Sequence, residues 1–224
     1  MKEDFANHED VDNSKKEDLK LGVNNIEGTS FWKSLQKEIN NITIGSEEFD
    51  DGAVGQREKS KIDVEVRQSK VHFLNGEKYF DLNVELFDLV QEYNQNHSNW
   101  NYDIIGTESM QYGIYSDGGH YDWHIDNYPA PIPITTRRSL SGNSTMMVNR
   151  KISVTIFLND PDEYEGGELD IETDGPRADP RYNTFKLSKG SIVVFPSNRW
   201  HRVRPVTSGV RKSLVAWVFG PPFK

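Results

Sequence analysis

Apolar residues recur along this chain at two different periods, and the change falls near residue 101. Before it, Phe31, Trp32, Leu35 and Ile39 lie at helical spacing behind Thr29-Ser30, residue types that cap helix N-termini. Leu82, Leu86, Leu89, Val90 and Tyr93 form a second apolar stripe. It predicts a helix from about Phe80 to Asn96, which the turn-rich stretch Asn94 to Asn101 should end. Between the helices, Ile62, Val64 and Val66 alternate with charged residues as a strand does, and Gly45 to Ser60 reads as a glycine- and charge-rich linker. Residues 1 to about 28, dense in Glu, Asp, Lys and Asn, predict a mobile, disordered acidic tail.

Beyond Asn101 the pattern becomes short alternating or apolar runs separated by Gly, Pro, Asp and Asn. Strands are expected near Tyr102–Ile105, Glu108–Tyr115, Tyr121–Asp126, Lys151–Leu158, Glu168–Glu172, Phe185–Leu187, Ser191–Phe195, His201–Pro205 and Val210–Phe219. Short strands at this spacing, with no helices between them, predict a sandwich or barrel, with the earlier helices packed on one sheet. The class is mainly β with flanking helices (α+β). Residues 29–101 would support a core at 102–224, the two forming one domain. The segment Tyr128 to Asn149, with Pro129, Pro131 and Pro133 and then Arg137-Arg138, reads as a mobile loop of lid length.

Composition narrows the partners. The chain has 224 residues, a net charge of -9 and no cysteine. Its length suits one sizeable core. The missing thiols exclude disulfides and zinc–thiolate sites and fit a reducing cytoplasm. Scattered Lys and Arg disfavour a nucleic-acid track, and no window approaches a membrane-spanning length. A small molecule or a polypeptide is the expected substrate, and the oligomeric state is unreadable.

His124 and Asp126 are two apart, so an extended strand projects both from one face. With the distant His201 they make two imidazoles and a carboxylate, a set that can cap one face of Fe(II) and leave the other open. The competing reading is a pair of ordinary histidines; His120, on the same strand face as His124, is the nearest rival ligand. Arg211 and Ser213 share one face of an apolar strand with Val215 and Trp217. A buried guanidinium there calls for a carboxylate, either an acidic residue of the chain or a dicarboxylic co-substrate.

The stretches Tyr115–Asp126, Arg150–Leu158, Tyr164–Leu169 and Val194–Val206, with Arg211 and Ser213 after them, resemble the Fe(II)/2-oxoglutarate-dependent dioxygenases. Within these, the likeness is to the prolyl 4-hydroxylase-like group. It covers roughly Glu108 to Phe219 and leaves out residues 1–60 and the Pro129–Asn149 loop. The resemblance implies a double-stranded β-helix (jelly roll), with His124, Asp126 and His201 as catalytic metal ligands for Fe(II). It implies that Arg211, helped by Ser213, holds the distal carboxylate of 2-oxoglutarate, and that Tyr115 hydrogen-bonds that co-substrate, with Tyr112 as its rival. Tyr121, Arg150 and Trp217 match positions lining the substrate side, although Tyr121 and Trp217 also read as core aromatics and Arg150 as a surface strand residue. The implied reaction is O2-dependent hydroxylation of a peptidyl proline, giving succinate and CO2, with ascorbate as auxiliary reductant. A dioxygenase of a free amino acid or small metabolite is the alternative. A non-catalytic metal-binding jelly-roll module and a zinc hydrolase are further ones.

Overall fold

The computed structural model describes residues 21–42, 49–53, 61–98, 100–138, 142–172 and 181–223; at 97, 135–138 and 142–144 it describes the backbone alone. The tail residues 1–20 with His8, most of the 45–60 linker and the Arg137-Arg138 side chains lie outside the described residues.

Two helices lie where the apolar spacing put them. In α1 (Ser30–Asn40), Thr29 caps the first turn, its Oγ1 accepting from the Trp32 N–H at 3.1 Å. In α2 (Phe80–Glu92), Leu82, Leu86 and Val90 are buried, and a wider turn over Tyr93–His97 ends it. Both helices cover the outer face of the larger sheet.

Sixteen strands follow in chain order among the described residues, and every pairing is antiparallel. The larger sheet runs β1 (Gly22–Asn25), β13 (Ser191–Pro196), β9 (Gly142–Phe157), β16 (Arg211–Gly220), β6 (Met110–Tyr115), β4 (Lys70–Leu74) and β2 (Asp50–Asp51). Beside it, β5 (Gly106–Thr107) joins β16 and β8 (Ile132–Arg138) joins β9. The smaller sheet runs β12 (Tyr182–Phe185), β11 (Leu169–Glu172), β14 (His201–Val203), β7 (His120–His124) and β3 (Arg67–Gln68). A short ribbon pairs β10 (Tyr164–Gly166) with β15 (Val206–Gly209). Period-two alternation divides the larger sheet's residues: Leu214, Ala216, Val218, Ile152, Val154 and Ile156 join the helices in one core. The opposite face meets the smaller sheet through Phe157, Val193, Phe195, Leu169 and Ile171.

Four expectations need correction. Gly22–Asn25, read as part of the tail, pair with Ser191–Val194, because β13 would otherwise leave a long apolar edge open. Ile62 to Val66 form no strand. Val66 N–H and Arg67 N–H both bond Asp63 O, and Ile62 and Val64 remain exposed at 59% and 61%. Tyr102–Ile105 is irregular; the strand there is only Gly106–Thr107. The Tyr128–Asn149 segment is a β-hairpin rather than a loop: β8 pairs with the first half of β9 from Ile132↔Val148 to Arg138↔Gly142. Pro129 and Pro131 precede β8, and Pro133 fits within it because β8 is an edge strand, where a missing N–H breaks no ladder bond on the open side.

Leu86 is fully buried where α2 meets the sheet. Leu86→Ala is expected to destabilise the fold by about 2–5 kcal/mol through lost burial and the cavity left behind, read as a lower midpoint of urea unfolding.

Candidate active site

β7 and β14 are neighbours, and their pairing sets His201 opposite His124. The ligand atoms of His124, Asp126 and His201 all lie within 4.8 Å of one another. His124 Nε2 is 3.8 Å from Asp126 Oδ1, and His201 Nε2 is 3.4 Å from Asp126 Oδ2. Asp126 sits two residues past the end of β7, where its N–H bonds Ser197 O.

The surroundings fix how each ligand points. His124 Nδ1 lies 2.7 Å from Asp122 O, and His201 Nδ1 lies 2.9 Å from Arg199 O. Only a protonated Nδ1 can donate to a carbonyl, so each Nε2 keeps its lone pair for a metal. Ser153 Oγ donates to Asp126 Oδ2 at 2.7 Å and shares a 2.9 Å hydrogen bond with Ser197 Oγ. Burial pushes His124 down to about 3, helped by the neighbouring His201, so its imidazole is neutral at physiological pH. Burial pushes the Asp126 carboxyl up, but His201 above all, then His124 and Arg150, outweigh it and hold the group well below the usual carboxylate range. Two imidazoles and a carboxylate, oriented by carbonyls and hydroxyls, are a donor set suited to a hard-to-borderline divalent cation such as Fe(II). His120 takes no part: its ring nitrogens meet Gly118 O and Glu65 O, because a bulge in the β7–β14 pairing breaks the parity that linked it to His124.

The trio opens onto a cavity of about 420 Å³ between the two sheets. Arg211 lies in its wall, 1% exposed. Its Nη1 donates to Ser213 Oγ at 2.9 Å, and it stacks over the rings of Tyr115 and Phe157 at 5.2 and 5.5 Å. Nε and Nη2 have no hydrogen-bond partner among the described residues. The acidic-residue reading of Arg211 therefore fails within them, and an orphaned buried guanidinium is what a dicarboxylate needs. Gly167 makes room for it: at φ 67°, a Cβ there would stand 2.9 Å from Arg211 Cδ. Tyr164, missed as a site residue, places a buried hydroxyl beside the Arg211 guanidinium, whose charge opposes the upward push of burial on it.

Tyr115 lines the cavity and Tyr112 does not. Three residues apart on β6, they point to opposite faces; Tyr112 is buried in the helix-side core with its ring 5.6 Å from Phe49. The rival alignment is overturned.

The structure brings Tyr121, Arg150 and Trp217, the residues expected to face a substrate, to the lining of this cavity. Tyr121 stacks on the His124 ring at 3.5 Å, and burial pushes its hydroxyl up to about 12. Arg150 is no surface residue. It forks onto Glu108 (2.8 and 2.6 Å) and lies 3.9 Å over Trp217 and 4.7 Å over Tyr128. A bulge puts it there: Phe219 pairs with Arg150 directly after Val218 pairs with Ile152, which skips Lys151 and flips the face. The Trp217 indole N–H is buried without a partner among the described residues. Sequence reasoning missed Glu108, Tyr128, Ser153 and Arg67. Of these, only Glu108 carried a signal, as a carboxylate at the start of the expected strand Glu108–Tyr115; it lies just before β6.

A family model described as the 2OG-Fe(II) oxygenase superfamily matches residues 110–219. A PKHD-type hydroxylase of Pseudoalteromonas atlantica is 36% identical over 108 residues, covering 48% of this chain and 41% of that protein. Another, from Xylella fastidiosa (strain 9a5c), is 38% identical over 115 residues, covering 51% and 45%. The matched part thus spans less than half the length of these relatives. Among solved structures, a Pseudomonas putida prolyl-4-hydroxylase gives a TM-score of 0.61 at 17% identity, covering 92% of this chain and 95% of that one. A prolyl hydroxylase from Trichoplax adhaerens, in complex with a peptide fragment of the hypoxia inducible factor oxygen degradation domain, gives 0.65 at 18%, covering 92% and 86%. At those identities the likeness is one of fold, the double-stranded β-helix of prolyl hydroxylases with helices on one sheet. The matched segment, residues 110–219, contains His124, Asp126, His201 and Arg211, and it belongs to the 2OG-Fe(II) oxygenase superfamily.

Proposed function

We propose that this chain is an Fe(II)- and 2-oxoglutarate-dependent hydroxylase acting on a peptidyl proline. One observation carries the reading: the three ligands and the Arg211 guanidinium, which pairs with no carboxylate among the described residues, face one cavity, offering separate places for a cation and a dicarboxylate. When bound, Fe(II) and 2-oxoglutarate supply the activation of O2, with one oxygen atom ending in succinate, CO2 leaving, and the other inserted into a substrate C–H bond. The protein's own part is binding and orientation. His124 and His201 present Nε2 and Asp126 a carboxylate that Ser153 keeps in place. Arg211, Ser213 and Tyr115 anchor the co-substrate, and the Phe157 ring keeps the guanidinium dry. Tyr121, Trp217 and the Glu108-held Arg150 form a rigid aromatic and cationic wall suited to a pyrrolidine ring and the peptide carbonyl beside it. The PKHD-type and prolyl hydroxylase relatives support this substrate class.

Among the described residues no helix is long and apolar enough to cross a membrane. The partner we propose is a polypeptide, with no nucleic acid. The test is incubation with Fe(II), 2-oxoglutarate, O2 and ascorbate against a panel of proline-containing peptides. A gain of one oxygen on proline, matched by succinate, is expected; succinate without any oxidised peptide would overturn the proline assignment.

A further inference from the structure

Three arginines line the cavity, and each meets a different fate. Arg150 is neutralised by Glu108, and Arg211 faces the place for 2-oxoglutarate. The third is Arg67, 6% exposed, on the edge strand β3 beside β7. Its Nε donates to Ser69 Oγ at 2.8 Å and its Nη1 to Ala53 O at 3.2 Å. Those bonds hold the side chain but use only two of the five N–H donors a guanidinium carries. No carboxylate pairs with it among the described residues. Asp50 and Asp51 also line the cavity, but both are exposed, and Asp51 is paired with Lys70 at 2.7 Å. The guanidinium lies 4.6 Å over the Tyr121 ring, which also stacks on His124.

Charge accounting in the loaded site gives this arginine its meaning. Fe(II) and Arg211 together carry as much positive charge as Asp126 and 2-oxoglutarate carry negative, and Arg150 is cancelled by Glu108. Among the described residues Arg67 is left as the one buried charge of the cavity wall with no paired opposite charge, Asp50 at the rim being exposed to solvent. A buried cation of that kind favours an anionic partner.

We propose that Arg67 is a specificity-determining residue that binds a carboxylate of the substrate, close to the C–H bond that is hydroxylated. This rests on the hydroxylase reading above and names its substrate class further: an acidic one. The carboxylate can come from a free amino acid or from an acidic residue beside the target proline, two sources of one chemistry.

The test is calorimetric titration of the protein loaded with Mn(II) and 2-oxoglutarate, using two matched pairs of probes. One pair is L-proline and L-prolinamide; the other is the N-acetyl, C-amide forms of Pro-Asp and Pro-Asn. In at least one pair the acid should bind about ten- to a hundredfold more tightly than its amide, as expected for a charge-assisted hydrogen bond. The pair that discriminates identifies the source. Arg67→Gln should remove the difference while leaving amide and 2-oxoglutarate binding unchanged, and Arg67→Lys, which keeps the charge, should retain part of it. A purely structural arginine would instead weaken acid and amide alike. Equal binding within both pairs, failure of every acid to bind, or discrimination that survives in Arg67→Gln would overturn the proposal. Failure of the hydroxylase reading looks different, since it would abolish 2-oxoglutarate binding or succinate formation in the unmutated protein.

Discussion

Arg211→Met is expected to leave the unloaded protein as stable as the parent or more so, and to remove 2-oxoglutarate binding. The two halves share one cause. The guanidinium is 1% exposed, with Ser213 Oγ its single hydrogen-bond partner among the described residues and two donor nitrogens unbonded. An unpaired buried charge opposes folding, and a well-packed apolar replacement of similar length is often neutral or stabilising by a few kcal/mol. The same nitrogens would give a dicarboxylate a forked, charge-assisted grip. Losing it should weaken 2-oxoglutarate by roughly a hundredfold or more, since hydrogen bonds to charged groups are worth about 1.5–3 kcal/mol each. Arg211→Lys restores a charge without the fork and should recover only part of the affinity. Thermal unfolding reads the first half and equilibrium titration of 2-oxoglutarate the second. A clear loss of stability in Arg211→Met with co-substrate affinity intact would mean that the arginine is structural.

His201→Ala should remove metal binding, and with it the stabilisation a metal confers. The ring is 6% exposed and held by Arg199 O, so its Nε2 is preorganised and cannot be replaced by a mobile neighbour. With Mn(II) at about a hundred times its dissociation constant, ligand binding adds about 2.7 kcal/mol to the parent, an upward shift of roughly 5–10 °C for a chain of this size. In His201→Ala the shift should vanish at the same metal concentration. Ser153→Ala, which frees Asp126 Oδ2 from its hydroxyl, should keep a reduced shift, with affinity down about ten- to a hundredfold. Equal shifts in all three proteins would show that the metal binds elsewhere.

Much of the site was legible because strand parity is short-range and strict. His124, Asp126, Arg211 and Ser213 could be placed on faces from their spacing alone, and the period change near residue 101 separated helices from sheet. Parity also chose Tyr115 over Tyr112 once β6 had a fixed inner face. What stayed hidden depended on departures from parity or on distance in sequence. The bulge that skips Lys151 turns Arg150 into the cavity, and a single residue's displacement leaves no trace in composition. The bulge opposite β14 likewise removed His120 from the ligand face. Arg67 follows a turn that alternation imitated as a strand, and nothing local announced its stacking on Tyr121. The hairpin of β8 and β9 was obscured by three prolines, of which only Pro133 enters the strand, where an open edge accommodates it.

The central claim is that one cavity holds a metal and a dicarboxylate together, and that each supports the other's binding. Titration of 2-oxoglutarate into the protein with and without saturating Mn(II) tests it most directly. The expected result is at least about tenfold tighter binding when the metal is present, the gain that chelation adds to the Arg211 contact. Equal affinity in the two titrations, or no binding in either, would contradict it.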